Sequence, residues 1–337
     1  MKINICYNFQ DGPWGGGNQF LKALKKYFEK NSIYEEELKK ADVLIFNSHH
    51  NLIQGLKIKN KYPEKIIILR LDGPVSLIRG KDKEIDKIIK LFSDAVVDGI
   101  IYQSNWSKNE NKKNFNFEAP YETTIINAVD DKIFNSLNRG VKSHKKIRLI
   151  STSWSPNWRK GFKIYEFLDK NLDFSKYEMT FVGNSPIKFN NIKHIKPVSS
   201  QTLAKILKAH DIFITASAKD PCSNSLIEAM SCGLPAVGYN DGGHKEIINS
   251  NGVTFNNKGE LLNKIKKISI EYNNYIKKIP SYSIDDVGKQ YYNFIKRIKN
   301  EIFEKKYFSK KENIYIAYYK IIFLKIKNAF TNKLWTK

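Results

Sequence analysis

The chain has 337 residues, 57 Lys and Arg against 34 Asp and Glu, a formal net charge of +23, and 41% hydrophobic and 13% aromatic residues. That length exceeds one ordinary core and suits two domains, and the apolar content excludes a largely disordered chain. Three cysteines, Cys6, Cys222 and Cys232, argue against a disulfide framework and fit a reducing cytoplasm, and no apolar run is long enough to span a membrane.

Apolar runs alternate with helix-like segments from the N-terminus, which predicts α/β layers around mostly parallel sheets. Residues 2–9 are too short an apolar run for a signal peptide and read as a first strand. Gly12, Gly15, Gly16 and Gly17 fill the turn before a helix over 18–30 and do not match G-x-G-x-x-G. Gly16 and Gly17 line a ligand cleft on one reading and make a tight turn on the other. Strands follow at 42–47 and 65–71, the second running into Asp72-Gly73-Pro74. A carboxylate at the carboxyl end of such a strand sits where open α/β sheets bind ligands. Asp72 is therefore a candidate for the reacting centre or the acceptor, or else a turn-forming residue, and Arg70 shares its face of the strand. A further strand covers 98–104, with a helix opening near Asn105. Residues 121–127 lead into Ala128-Val129-Asp130 and Phe134, and the polar stretch 138–146 reads as a linker.

The alternation restarts with a strand at 147–153, then Arg159, Lys160 and a helix over 161–168. A cation in that turn can stabilise a departing diphosphate without a metal, or is simply solvated. Strands at 177–183 and 191–196, a helix over 200–209 and a strand at 211–215 deliver the chain to Asp220-Pro-Cys-Ser-Asn-Ser-Leu-Ile-Glu228. Ser223, Asn224 and Ser225 are small polar residues that cap a helix start and leave its first N–H groups for an anion. With a carboxylate on either side, the stretch suits a ligand with phosphate in the middle and hydroxyls at both ends, a nucleotide diphosphate sugar. A strand at 236–239 ends in Asp241-Gly242-Gly243-His244, whose glycines are expected to bring N–H groups toward a ligand. His244 reads as an acid, a base, a hydroxyl-orienting group or a space-filler. The histidine spacings support no metal site. A helix over 285–299 carries Val287, Tyr291, Phe294 and Ile298 at three- and four-residue steps. From Glu301 to Lys337 there are nine Lys, three Glu and nine aromatics. That tail fits an interfacial helix on anionic lipid, or a packed helix with Lys stems lying over it. Packing suits 314–323 and lipid contact the last dozen residues.

These segments together resemble a retaining GT-B glycosyltransferase of family four, the glycosyl transferases group 1. Asp220 and Glu228 are separated by seven residues, like that family's two acids, and are followed by Ala229-Met230 and Gly233-Leu234-Pro235. Ile126-Asn127-Ala128-Val129-Asp130 with Phe134, Lys160-Gly161, and Gly242-Gly243 with Glu246 are similar to further family segments in the same order. Three departures stand out. Asp220 replaces the usual Glu, Ala128 the usual Gly, and Arg70-Leu71-Asp72 occupies the place of a catalytic-region His.

The resemblance implies an α/β GT-B fold, two Rossmann-like domains facing a central cleft with a C-terminal helical tail. The domains would be an acceptor-side domain over 1–140 and a nucleotide-sugar-binding domain over 141–299, with a basic aromatic tail over 300–337. It implies a hexosyltransferase-type enzyme that is metal-independent and uses no cofactor. Such an enzyme moves a sugar with retention from a nucleotide diphosphate sugar to a glycan or lipid-linked acceptor. Glu228 would hold the ribose hydroxyls and Asp220 those of the transferred sugar. The backbone N–H groups of Asn224, Ser225 and Leu226, with Arg159 and Lys160, would hold the diphosphate. Asp72 gains weight because the His is absent, and Gly16 and Gly17 would line the cleft. The implied setting is cytoplasmic, peripheral on the inner face of a membrane with an anionic surface. No nucleic-acid partner is expected, because no RNP-like, helix-turn-helix or zinc motif accompanies the charge. The readings from other classes are a non-catalytic basic peripheral membrane or nucleic-acid binding protein on a GT-B scaffold, and a dinucleotide dehydrogenase, which the missing glycine fingerprint weakens.

Overall fold

The structure, a computed structural model, describes residues 1–12, 14–80, 82–139, 145–277, 279–280 and 282–334, with backbone alone for 329–334. The fold is α/β, with two parallel sheets of Rossmann-like type in separate compact units and a helical C-terminal region. The first unit holds Met1–Phe9, Leu24–Ile126 and Val287–Lys337; the second holds Gln10–Ala23 and Asn127–Asp286.

In the first unit five strands lie side by side in chain order, β1 (Ile3–Cys6), β2 (Val43–Asn47), β3 (Ile66–Leu71), β4 (Gly99–Tyr102) and β5 (Tyr121–Thr124). All neighbours pair in parallel. From β1 to β4 every residue is buried. Helices cover both faces of such a sheet, so its strands read as unbroken apolar runs with no alternation. The helices of this half of the chain are α1 (Gly16–Lys30), α2 (Leu52–Lys61), α3 (Val75–Arg79), α4 (Lys83–Val96) and α5 (Asn105–Phe115).

The second unit carries β6 (Ile147–Ser153), β7 (Tyr177–Gly183), β8 (Lys193–Ile195), β9 (Ile212–Thr215), β10 (Ala236–Tyr239) and β11 (Gly252–Phe255). Across the sheet they run β8-β7-β6-β9-β10-β11, all parallel. The chain winds outward from β6 in one direction, then crosses to β9 and winds in the other. The switch point lies between β6 and β9, and the carboxyl ends of those two strands are where such sheets bind ligands. The helices are α6 (Phe162–Asn171), α7 (Ser200–Lys208), α8 (Asn224–Ser231), α9 (His244–Ile248), α10 (Lys258–Ile270) and α11 (Tyr272–Ile276).

Two last helices, α12 (Ile284–Phe303) and α13 (Ile314–Leu334), follow. From Val287 onward the chain groups with the first unit, so that group includes the end of the 141–299 segment and the whole 300–337 tail. Packing accounts for this. Gly99 of β4 leaves room for Ile298 and Phe294, whose side-chain atoms lie 2.9 and 3.0 Å from where its Cβ would be. Ile314, Ala317 and Ile321 of α13 join Phe46, Phe92 and Ile100 in one core. Each side chain the size of Ile321 buried there contributes about 1.5–3 kcal/mol. A polar clamp fixes the approach to α13. Asp98, fully buried, accepts from Ile67 N at 2.8 Å, Tyr307 Oη at 2.8 Å and Lys310 N at 2.6 Å.

Of the expected linker 138–146, residues 140–144, including His144, lie outside the described residues, as do Trp335 and the side chain of Phe330. Among the described residues no helix is long and apolar enough to cross a membrane. Cys6, Cys222 and Cys232 are buried free thiols.

Candidate functional site

At the carboxyl ends of β6 and β9 a cavity of about 360 Å³ opens, and all of its lining belongs to the second unit. The end of β6 and the turn after it contribute Thr152 to Ser155 and Lys160, the loop after β9 contributes Ser217, Asp220, Cys222 and Ser223, and α8 contributes Asn224, Ser225 and Glu228. One face of α8, Leu226, Ile227, Ala229 and Met230, is buried against the sheet. Asn224 and Glu228, four residues apart, therefore share the face that looks into the cavity. The N-cap Ser223 makes no side-chain bond to a backbone N–H of the helix. Its hydroxyl pairs with Ser225 Oγ at 3.2 Å, and the first-turn amides have no partner within the helix.

Gly16 and Gly17 also line this cavity. A Cβ on Gly16 would lie 2.5 Å from Asn224 Cβ, so only glycine allows the loop to touch the start of α8. Asn224 is held in turn by Asn127, fully buried, whose Nδ2 donates to Asn224 Oδ1 at 3.0 Å.

The two acids have opposite electrostatics. Asp220 has its Oδ2 2.9 Å from Lys160 Nζ, with side-chain exposures of 10% and 36%. Burial works to raise its pKa, but Lys160, the nearby His244 and the Cys222 N–H outweigh that and hold the carboxyl below its ordinary value. Glu228 has no hydrogen-bonding partner among the described residues, and burial alone pushes its pKa up to about 8. A carboxylate with unused acceptor capacity facing a cavity suits a ligand that brings two hydroxyl donors.

The cavity thus brings together Asp220, Lys160, Glu228, Asn224, Ser225, Gly16 and Gly17. Leu226 and Arg159 are not part of its wall: Leu226 is fully buried behind the helix. Arg159 is exposed in the turn, with its N–H bonded to Asn157 Oδ1 at 2.9 Å and its carbonyl accepting from Ala218 N at 2.7 Å. The glycine loop after β10 differs from expectation. Gly242 N donates to Asp241 Oδ1 at 2.8 Å and Gly243 N to Asp220 O at 2.9 Å. Gly242, at φ +69°, lies so close that a Cβ would sit 2.1 Å from Asp220 O. The Gly243 N–H is thus spent on the backbone of Asp220 and the Gly242 N–H on the Asp241 carboxylate. His244 is fully buried, with Nδ1 2.9 Å from Tyr239 O, and burial lowers its pKa. It backs Asp220 and does not line the cavity.

Asp72 belongs to the first unit, at the carboxyl end of β3. Its Oδ1 lies 3.5 Å from Nη1 of the buried Arg70. The turn is firmly built: Asn111 Nδ2 donates to Asp72 O at 2.7 Å, and the carboxylate of buried Asp86 accepts from Val75 N at 2.6 Å and Ser76 N at 2.9 Å. Among the described residues no group of three His, Cys, Asp or Glu is arranged to hold a metal ion.

Residues 188–279, which include α8 and both acids, match the family model of glycosyl transferases group 1. That stretch of the chain is similar to the family. A probable sucrose-phosphate synthase from Thermosipho melanesiensis is 27% identical over 176 residues, 48% of this chain and 41% of that protein, so the match spans less than half of the relative. Among solved structures, Anabaena Alr3699/HepE in complex with UDP aligns with a TM-score of 0.65 at 16% identity over 90% of this chain and 99% of that one. The same Anabaena protein has been solved with UDP-glucose. Sucrose-phosphate synthase from Thermosynechococcus elongatus aligns with a TM-score of 0.63 at 13% identity over 85% of this chain and 79% of that one. These likenesses show the GT-B fold.

The cavity also has features that no motif marks. Trp14 and Trp154 line the cavity, with ring centroids 5.8 Å apart and exposures of 50% and 40%. Pro197, Val198 and Leu203, from the approach to α7 and from α7 itself, give the cavity an apolar side. The signal available in the sequence was one tryptophan beside glycines, another just after a strand, and a Pro-Val pair after a further strand. None marks a site until the fold places it.

Proposed function

We propose that this protein is a retaining, metal-independent glycosyltransferase that takes its sugar from a nucleoside diphosphate donor and passes it to a glycan or lipid-linked acceptor. The observation that carries the reading is the shared cavity of Glu228, the uncapped start of α8 and the Lys160–Asp220 pair. Glu228 accepts from the two ribose hydroxyls, which supply the donors it lacks. Pro197, Val198 and Leu203 offer the base a dry face. The first-turn amides of α8 and Lys160 Nζ take the diphosphate, and Asp220 orients hydroxyls of the transferred sugar. In the reaction the bond from the anomeric carbon to the β-phosphate oxygen breaks and a bond to the acceptor hydroxyl forms on the same face. The acceptor proton passes to the departing phosphate oxygen, so a strong protein base is not required. Lys160 stabilises the charge that develops on that oxygen, a task that needs no metal ion. Asp72, paired with Arg70, is assigned to the acceptor.

The complexes of the Anabaena protein make UDP-glucose the first donor to try. A thermal-shift panel of UDP-, GDP-, ADP- and CMP-sugars tests the donor class, since a ligand that binds the folded state alone raises its apparent stability. Glu228→Gln is expected to weaken nucleotide binding more than Asp220→Asn does, and Asp220→Asn to act mainly on turnover. No stabilisation by any nucleotide sugar defeats the reading, and equal losses of affinity in both variants defeat the assignment of the two acids. The anomeric configuration of the product tests retention, and turnover in the presence of a chelator tests metal independence.

A further inference from the structure

Helix α13 is apolar on two sides. Ile314, Ala317 and Ile321 are buried in the core of the first unit. On the other side Tyr315, Ile316, Tyr319, Phe323 and Ile326 are 67%, 54%, 70%, 67% and 52% exposed. At about 100° per residue these five fall within a single stripe roughly 100° wide. A helix that is apolar all round belongs in an interior, and a contiguous exposed stripe of this kind marks an interaction surface.

The rim of the stripe is basic. Lys320, Lys325 and Lys327 are exposed on α13, and Lys57 and Lys61 are exposed on α2, which packs beside it. Lys57 Nζ lies 5.9 Å from the centroid of the Tyr318 ring. From Asn313 to Lys337 the sequence has five Lys and neither Asp nor Glu. That charge pattern separates the occupants. A second copy docked on the same face would set these lysines near their own equivalents, with no carboxylate on the helix to pair them. An anionic bilayer supplies the missing negative charge and a headgroup layer that accepts Tyr and Phe rings.

We propose that the outer face of α13 lies on an anionic lipid surface, with Tyr315, Tyr319, Phe323 and Ile326 at the headgroup level and the lysines beside the lipid phosphates. The inference does not depend on the reading of the cavity.

Co-sedimentation of the full chain with vesicles, in the absence of nucleotide sugar, tests it. Vesicles of pure phosphatidylcholine are compared with vesicles in which one lipid in three is phosphatidylglycerol. The chain is expected to partition onto the anionic vesicles, less at high salt, and weakly onto the neutral ones. Two variants change exposed residues only: Tyr315→Ser with Tyr319→Ser and Phe323→Ser, and Lys320→Glu with Lys325→Glu. Each is expected to lower partitioning by about ten-fold or more, with its thermal transition unchanged. Lys188→Glu with Lys193→Glu, on the second unit, makes the same change in net charge and is expected to leave partitioning within about two-fold of the parent. The proposal is overturned if the parent chain stays off anionic vesicles, if the aromatic variant binds them as well as the parent, or if the control reversal is as damaging as Lys320→Glu with Lys325→Glu. A parent that sediments as a dimer and becomes monomeric on Tyr319→Ser overturns it too, in favour of a second copy.

Discussion

Replacing Glu228 by Gln is expected to stabilise the second unit while emptying the cavity of its ligand. The carboxyl is partly open to the cavity, has no partner, and is raised from 4.5 to about 8 by burial. Between those two values the folded state binds the proton more tightly than the unfolded chain does. Stability therefore falls as pH rises from the lower value to the higher one and is flat beyond it. At about 1.4 kcal/mol for each pH unit, keeping Glu in this position costs on the order of 3 kcal/mol by about pH 7. Gln has the same shape and no proton to lose, so its variant lacks this slope. Unfolding of both proteins followed across this pH range is expected to give a difference near zero at about pH 5. By about pH 7 the difference is expected to be a melting point higher by roughly 6–12 °C in the variant. Ribose hydroxyls, by donating to the carboxylate, favour its ionised form. Nucleotide binding near neutral pH should then release up to about one proton, which calorimetry in two buffers of different ionisation enthalpy measures. Identical pH slopes in the two proteins would falsify the desolvated carboxyl, and proton uptake on binding would refute the assigned contact.

Lys160→Ala leaves Asp220 buried without its cation. The open side of Lys160 screens the pair, so the expected loss is about 1–3 kcal/mol, below that for a fully buried pair. The depressed pKa of Asp220 gives stability that is present above its unfolded value and lost as pH falls through the folded one; the variant lacks that contribution, so its stability gap to the parent is expected to narrow as pH falls, and a gap unchanged at low pH refutes this. Gly16→Ala drives a methyl into Asn224, and donor affinity is expected to fall roughly ten- to hundred-fold with little change in melting point, as read by titration and thermal unfolding. Asp98→Ala strands the N–H groups of Ile67 and Lys310 and the hydroxyl of Tyr307, and leaves buried Lys59, 3.8 Å away, without its counter-charge. A loss of about 3–5 kcal/mol is expected, with amide exchange in α13 accelerating while β6 and β7 stay protected. Unchanged protection of α13 would show that the clamp does not hold it.

The amino-acid sequence by itself determined the fold class and the nucleus of the site. Strands β6, β7 and β10 have the ends expected from the sequence. Asp220, Lys160, Asn224, Ser225 and Glu228 were legible because their spacing is local: a strand end, a turn, and one turn of helix. Helix α4 is legible in the same local way, from Ile85, Ile88, Ile89, Phe92 and Val96 at three- and four-residue steps.

What the tertiary structure alone decided depends on neighbours far away in the chain. It put Gly16 against Asn224 and Trp14 beside Trp154, and it set the backbone of Asp220 on Gly242 and Gly243. It set Lys160 and Ser225 in the cavity wall and left Arg159 outside it. It packed one side of α13 into the first unit and left the other side bare. The contrast between Asp220 and Glu228 has the same origin. Two acids of similar intrinsic strength separate because one meets a lysine sixty positions away and the other meets only apolar burial, and desolvation is a property of the surroundings that no spacing along the chain records.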